Sequence, residues 1–211
     1  MVLVDASPDT ILQFHDELLN ELPTLKGKWN FSFKVFRSNP FSITNGHSES
    51  KFLHTLTLSY LPDTCISLVN FNSVGIFTNN AINDDSPPPA DGFGFPESYL
   101  YRGVTSGYND PFDMLVGQKL QSLWLQKQNI KGDGGQVYEL ENGSVIIRTS
   151  NVFLHGVFKG LLIQIETKRD IDAVMDKYSI PRGNMSNKTI DQTNLDLYGD
   201  LSLQYAQVLN F

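Results

Sequence analysis

Residues 136–168 read QVYELENGSVIIRTSNVFLHGVFKGLLIQIETK. Gln136–Glu141, Ser144–Phe153 and Val157–Lys168 read as three successive strands. The last places Leu161, Ile163 and Ile165 on one side and Leu162, Gln164 and Glu166 on the other. Asn142-Gly143 is the residue pair that a two-residue type I′ turn favours, because both positions need φ > 0, and His155-Gly156 turns the chain again. Strands joined by connections this short must run antiparallel, since a parallel crossover needs a dozen residues or more.

Working toward the N-terminus, the same behaviour recurs. Trp29–Arg37 alternates, with Trp29, Phe31, Phe33 and Val35 on one face. Phe52–Leu61 alternates too, with Phe52, His54, Leu56, Leu58 and Tyr60 against Leu53, Thr55, Thr57 and Ser59. Pro62-Asp63 makes a turn, and Thr64–Asn70 and Ser73–Thr78 add two short strands. Residues 2–4 can start a further one.

Helical signals frame these strands. Ser7-Pro8 marks an N-cap followed by proline at N1, with Asp9 in the first turn. Ile11, Phe14, His15, Leu18 and Leu22 then recur at helical spacing until Pro23 ends the run, which predicts a helix over 8–22. A second helix is expected over 111–127, with an apolar stripe of Phe112, Leu115, Val116, Leu120 and Leu123 and with Trp124 beside it. Trp124 and Phe158 lie inside apolar patterns and are expected in the core. Ile130–Gly135 reads as a turn, 170–178 as a short helix and 179–189 as a loop. Leu197, Leu201, Tyr205 and Val208 mark an amphipathic C-terminal helix, weakened at Gly199 by about 1 kcal/mol relative to alanine. The sum predicts a single α+β domain over 1–211, an antiparallel β-barrel of about eight strands flanked by helices.

Residues 79–109 interrupt the pattern with Pro87-Pro88-Pro89, Gly92, Gly94, Pro96, Gly103 and Gly107. A loop of this length inside a compact domain is functional or a linker. It carries Phe93, Phe95, Tyr99 and Tyr101, so it is expected to pack, either on the domain's own surface or on a partner. These four residues are the candidate partner-binding positions.

Composition excludes several functions. Of 211 residues 40% are apolar and 18% charged, with 14 Phe, 8 Tyr and 2 Trp, which is ample for a core. Lys+Arg number 16 against 23 Asp+Glu, a net charge of −7, which argues against a surface that holds nucleic acid directly. One cysteine, Cys65, rules out an intrachain disulfide and a multi-thiolate metal site, and points to a reducing compartment. The N-terminal apolar run stops at Asp5 without a basic region, so no signal peptide is expected, and no run approaches a membrane span of about 18 residues. Four Asn-x-Ser/Thr sequons begin at Asn30, Asn142, Asn184 and Asn187. They alone suggest a secreted carbohydrate-binding barrel as a rival.

The search for chemistry returns little. His15, His47, His54 and His155 show no metal-ligand spacing, and Cys65 in its apolar strand reads as an inert thiol. There is no G-x-S-x-G elbow and no Walker loop. Gly92-Phe93-Gly94-Phe95-Pro96 lacks the third glycine of a dinucleotide fingerprint. Gln164-Ile165-Glu166-Thr167-Lys168 and Glu139-Leu140-Glu141 place charged and polar residues at alternate positions, as barrel hydrolases of triphosphates do around a divalent metal. Here a Gln occupies the first position of one run and Gly143 stands where the other needs a Lys, so solvated outer strand faces are expected. No catalytic, cofactor-binding or metal-ligating residue is predicted, and the triphosphate-tunnel hydrolase stands as the alternative function.

The run Lys119–Gly135 resembles a helix-to-turn signature of the Mediator subunit 20 family, and Val157–Glu166 resembles that family's following strand. The short first strand, the helix, the aromatic strand opening at Trp29 and the terminal helix with Tyr205 agree with it. The resemblance implies a β-barrel flanked by helices and a non-enzymatic coactivator subunit of the Mediator head module in the nucleus. It implies a heterodimer with Mediator subunit 18, an indirect link to subunit 8, and a relay of regulatory signals to RNA polymerase II and the TATA-box-binding protein. It implies no cofactor.

Overall fold

The computed structural model of the chain describes residues 2–4, 7–42, 50–78, 104–105 and 111–211. The elements in chain order are β1 (Val2–Val4), α1 (Pro8–Asn20), β2 (Thr24–Ser38), β3 (Phe52–Leu58), β4 (Thr64–Val69), β5 (Ser73–Thr78), β6 (Val104–Thr105), α2 (Phe112–Lys119), β7 (Trp124–Leu140), β8 (Val145–Leu154), β9 (Val157–Thr167), α3 (Ile171–Lys177), β10 (Asn184–Met185) and α4 (Leu197–Val208). The expected class, an antiparallel α+β sheet with flanking helices, is the one observed.

The hydrogen-bonded strand order is β10-β1-β9-β8-β7-β2-β3-β4-β5-β6. Pairs β1–β10, β1–β9, β3–β4, β4–β5, β7–β8 and β8–β9 are antiparallel, and β5–β6 is parallel. The order is open, because its two end strands, β10 and β6, are not paired with each other among the described residues. A closed barrel of about eight strands is therefore not what this order forms. Both end strands are two residues long, which limits the exposed edge without closure.

The chain divides into two compact units. The first comprises 1–31, 130–188 and 204–211, the second 32–129 and 189–203. Strands β2 and β7 and helix α4 contribute residues to both.

In the first unit, Ser7 Oγ accepts the backbone N–H of Thr10 at 3.3 Å, the expected N-cap of α1. Helix α1 buries Phe14 and Leu18 against Tyr138, Leu140, Val145, Ile147, Leu161 and Ile163 of the sheet. Helix α3, capped by Asp170, adds Val174 and Met175 to the same core. Leu22 does not join it. Leu22 lies beyond the helix with φ 53° and is 88% exposed, a correction to the stripe the sequence predicts.

Residues 130–135 do not turn. They continue β7, paired from Ile130↔Leu154 to Asp133↔Asn151, with a bulge before Gln136↔Thr149. Their glycines permit close approach instead. A Cβ on Gly132 would lie 2.2 Å from the Phe31 ring, and one on Gly135 would lie 2.3 Å from the Trp29 carbonyl oxygen. The Trp29 indole N–H crosses to the Thr149 carbonyl at 2.8 Å. The first hairpin differs from expectation, while the turn expected at His155-Gly156 is observed. Leu140↔Val145 closes a four-residue connection in which Glu141, Asn142 and Gly143 all have positive φ. The two-residue turn of I′ type is His155-Gly156, with φ of 50° and 84°, closed by Leu154↔Val157.

In the second unit, Phe36, Leu53 and Val116 form a core with Val69, Phe112, Leu120 and Trp124 packed against it. The helix expected over 111–127 stops at Lys119, and Trp124 already belongs to β7. The reason is long-range. Asn39 donates its backbone N–H to the Leu123 carbonyl at 2.8 Å and its side-chain amide to Ser122 at 3.0 Å, so neither carbonyl is left for a helical turn. Helix α4 is buried on most of its surface, not along one stripe. Tyr198, Leu203, Tyr205, Ala206 and Val208 are in the core, while Leu197 is exposed. Gly199 is there for space, since a Cβ would lie 2.9 Å from a Val74 methyl on β5 and 2.9 Å from an Asp196 carboxylate oxygen.

Candidate interaction surface

Arg148 on β8 stands opposite Gln164 on β9, and Glu166 follows two residues on, so all three share a face. They are bonded into one chain. Arg148 Nη1 and Gln164 Nε2 both donate to Glu166 Oε1, the second at 2.8 Å, and the Tyr205 hydroxyl donates to Gln164 Oε1 at 3.0 Å. Arg148, Gln164 and Tyr205 are buried. The expected solvated face is corrected here: at Gln164 this face is interior. A buried arginine is retained where its charge is matched, and Glu166 matches it. The network joins the last turns of α4 to β9. Arg148 is the member that sequence reasoning missed. Its one signal is a charged residue directly after the apolar run Val145–Ile147, inside a strand.

Glu139 and Glu141 do not act together. Glu141 leaves the strand with φ 52°, and its Oε1 accepts from Lys177 Nζ at 2.7 Å and from the Tyr178 hydroxyl at 2.6 Å. Arg169 pairs with the other oxygen at 2.5 Å. The Lys177 and Tyr178 hydrogen bonds, in that order, pull the Glu141 carboxyl down to about 2. Glu139 pairs instead with Lys26 at 3.0 Å. Among the described residues no group of three or more His, Cys, Asp and Glu is placed to hold a metal ion.

Two of the described histidines serve the packing, while His155 is exposed in the β8–β9 turn. His15 Nδ1 lies 3.0 Å from the Tyr138 hydroxyl. His54 is stacked on Phe33 with ring centroids 5.6 Å apart and lies 4.9 Å from the Phe71 ring. Burial lowers the pKa of both, so the neutral imidazole is favoured. Burial, then the nearby Asp113 carboxylate, push the Cys65 thiol upward, away from the reactive thiolate. His47 lies outside the described residues.

The first unit also turns an apolar patch outward. At the β8–β9 tip Val157 is 60% and Phe158 41% exposed, with the Phe153 ring edge-on to Phe158 at 5.8 Å. Phe158, expected in the core, is corrected to this surface. Its position follows from a bulge. Phe153 pairs with Phe158 and Val152 with Gly160, so Lys159 is an extra residue that exchanges the two faces of the strand. Trp124, the other residue expected in the core, is packed against it. Phe93, Phe95, Tyr99 and Tyr101 lie outside the described residues. No helix among the described residues is long and apolar enough to cross a membrane.

An antiparallel α+β sheet whose buried Arg148 is paired within its own network and whose β8–β9 tip exposes Val157 and Phe158 has the features of a protein-interaction module. Comparison with known proteins makes this specific. The family model for Med20, described as the TATA-binding related factor of subunit 20 of the Mediator complex, matches residues 1–210. The chain is 56% identical to Mediator of RNA polymerase II transcription subunit 20 of Debaryomyces hansenii, covering 100% of this chain and 98% of that one. It is 49% identical to the same subunit of Scheffersomyces stipitis over equal coverage, and 30% identical to that of Eremothecium gossypii over 97% of this chain and 95% of the relative. The chain belongs to the Mediator subunit 20 family, whose members are components of a transcription-regulating complex.

Proposed function

We propose that this chain is a non-catalytic subunit of the Mediator coactivator, located in the nucleus and built into the head module. In this reading it forms a heterodimer with a Mediator subunit 18 chain. Through that pair it contacts subunit 8 indirectly and helps relay regulatory signals to RNA polymerase II and the TATA-box-binding protein. Full-length similarity to Mediator subunit 20 carries the proposal. The chemistry of the site is consistent with it. Arg148, Gln164 and Glu166 are engaged with one another and with Tyr205, and Glu141 separately with Lys177 and Tyr178, which favours a scaffold over a reaction centre. A stable heterodimer buries on the order of 1,200–2,000 Å², with aromatic anchors supplying most of the affinity. Phe93, Phe95, Tyr99 and Tyr101 are proposed as such anchors, alongside Phe158.

The test is affinity purification of the tagged chain from its own cells, with mass spectrometry of the co-purifying proteins. Head subunits, with subunit 18 in equal amount, are the expected result. A monomer without Mediator partners overturns the reading. Replacing Phe93, Phe95, Tyr99 and Tyr101 together should then reduce the recovery of subunit 18 while the unfolding midpoint stays in place. Undiminished recovery removes these four residues from the interface.

A further inference from the structure

Helix α1 carries a second, unpartnered surface, distinct in residues from the β8–β9 tip. Asp9, Leu12, Asp16 and Leu19 follow one another at spacings of three, four and three, the a/d spacing of a heptad. They form a single stripe on which acid and leucine alternate. Leu12 is 62% and Leu19 45% exposed, and the line extends past the helix end to Leu22 and to Leu25 at 57%. Phe14 and Leu18 occupy the opposite, buried side.

Three features of α1 and its C-terminal end are unfavourable for the isolated fold. Glu17 and Glu21 sit at the negative end of the helix dipole, four residues apart, and the last turn has no basic residue. Leu22 adopts a left-handed backbone, which costs a bulky residue energy, yet its side chain gains no burial. Asp9, Asp16, Glu17 and Glu21 have no ion pair among the described residues, and there is no Lys or Arg between Ser7 and Leu25. The contrast within the same unit is sharp. Glu139, Glu141, Glu166, Asp172 and Asp176 each face a Lys or Arg within 3.8 Å. Asp9 and Asp16 are thus without a cation beside the exposed Leu12 and Leu19.

We propose that the α1 stripe is a docking surface for a basic amphipathic helix of another protein chain, with leucine-sized residues at heptad spacing flanked by Lys or Arg. Such a helix lays its apolar seam between Leu12 and Leu19 and brings its cations to Asp9 and Asp16, the two acids on the same stripe, relieving both the exposed area and the unmatched charge. This goes beyond the heterodimer proposed above and does not require subunit 18 to be the occupant.

The experiment uses the full chain and a fluorescent helix-forming peptide of about 21 residues, with leucine at a and d and lysine elsewhere. A peptide with glutamate in place of lysine is the control. Anisotropy titrations should give saturable binding of the lysine peptide alone, at least about tenfold weaker to Asp9→Lys/Asp16→Lys and to Leu12→Ser/Leu19→Ser. The charge-reversed variant should instead take the glutamate peptide. Unfolding midpoints of both variants confirm that they fold, since all four positions are at the surface. Equal binding of the two peptides to the wild type, or affinity unchanged in the leucine variant, overturns the proposal.

Discussion

The Tyr205 hydroxyl, at the core end of α4, donates to Gln164 Oε1 on β9 at 3.0 Å, and both side chains are buried. This bond fastens the C-terminal helix to the polar chain that runs through Glu166 to Arg148. Tyr205→Phe keeps the ring, which meets Phe31 edge-on at 5.3 Å, and removes only the donor. The buried Gln164 oxygen then loses that partner, at a cost of about 1–3 kcal/mol. Urea unfolding should show this loss with an unchanged m-value. The pair Tyr205→Phe/Gln164→Leu should cost less than the sum of the single changes, because both lose the same bond.

Glu141 sets an acid limb. Its carboxyl is held near 2 in the folded chain against 4.5 ordinarily, by Lys177 and then Tyr178. A folded-state value below the unfolded one gives stability that is complete above about pH 4.5 and lost as pH falls toward 2. Glu141→Gln should flatten the pH dependence of the unfolding midpoint across that window. Lys177, raised by its hydrogen bond to Glu141, acts with the opposite sign, its contribution fading as pH rises past its folded value. An acid limb of equal slope in wild type and variant counts against this pairing.

His54 should add a second pH dependence at milder acidity. Burial lowers its folded value below 6.5, so protonation favours the unfolded chain as pH falls through and below 6.5. His15 acts in the same direction. His54→Phe keeps a ring between Phe33 and Phe71 and removes the titrating group. The loss of stability between pH 7 and 5 should therefore shrink in this variant, as read by the unfolding midpoint at each pH, without vanishing while His15 remains.

Gly199→Ala opposes two effects of different sign. Helix propensity favours alanine by about 1 kcal/mol. The new Cβ, however, would stand 2.9 Å from Val74 and 2.9 Å from the Asp196 carboxylate. That carboxylate caps the helix by accepting the N–H groups of Tyr198 and Gly199, each at 3.1 Å. Overpacking costs about 1–3 kcal/mol, so the net effect should be destabilising. A midpoint that rises on substitution means that the helix start shifts without cost.

Local chemistry was legible where neighbours in sequence decide it. The α1 N-cap at Ser7, the alternation of Trp29, Phe31, Phe33 and Val35, and the strands Thr64–Val69 and Ser73–Thr78 all follow from residue type and period. Legibility failed where a distant residue takes over. Helical spacing through Leu123 could not reveal that Asn39 captures the Ser122 and Leu123 carbonyls. Glycines at 132 and 135 look like a turn until Phe31 and Trp29 are seen to need their space. The bulge at Lys159, which carries Phe158 to the surface, leaves no mark on the apolar pattern.

The sequence by itself determined the antiparallel α+β class, the acidic balance and the Mediator subunit 20 family, because period, composition and residue identity are properties of the chain. Only the tertiary structure decided that Gln164 faces the interior beside Arg148, that the sheet order stays open, and that Leu12, Leu19 and Leu22 point away from the core. Those outcomes depend on which segments meet away from their sequence neighbours, and on the space, hydrogen-bond partners and charge that each meeting leaves over.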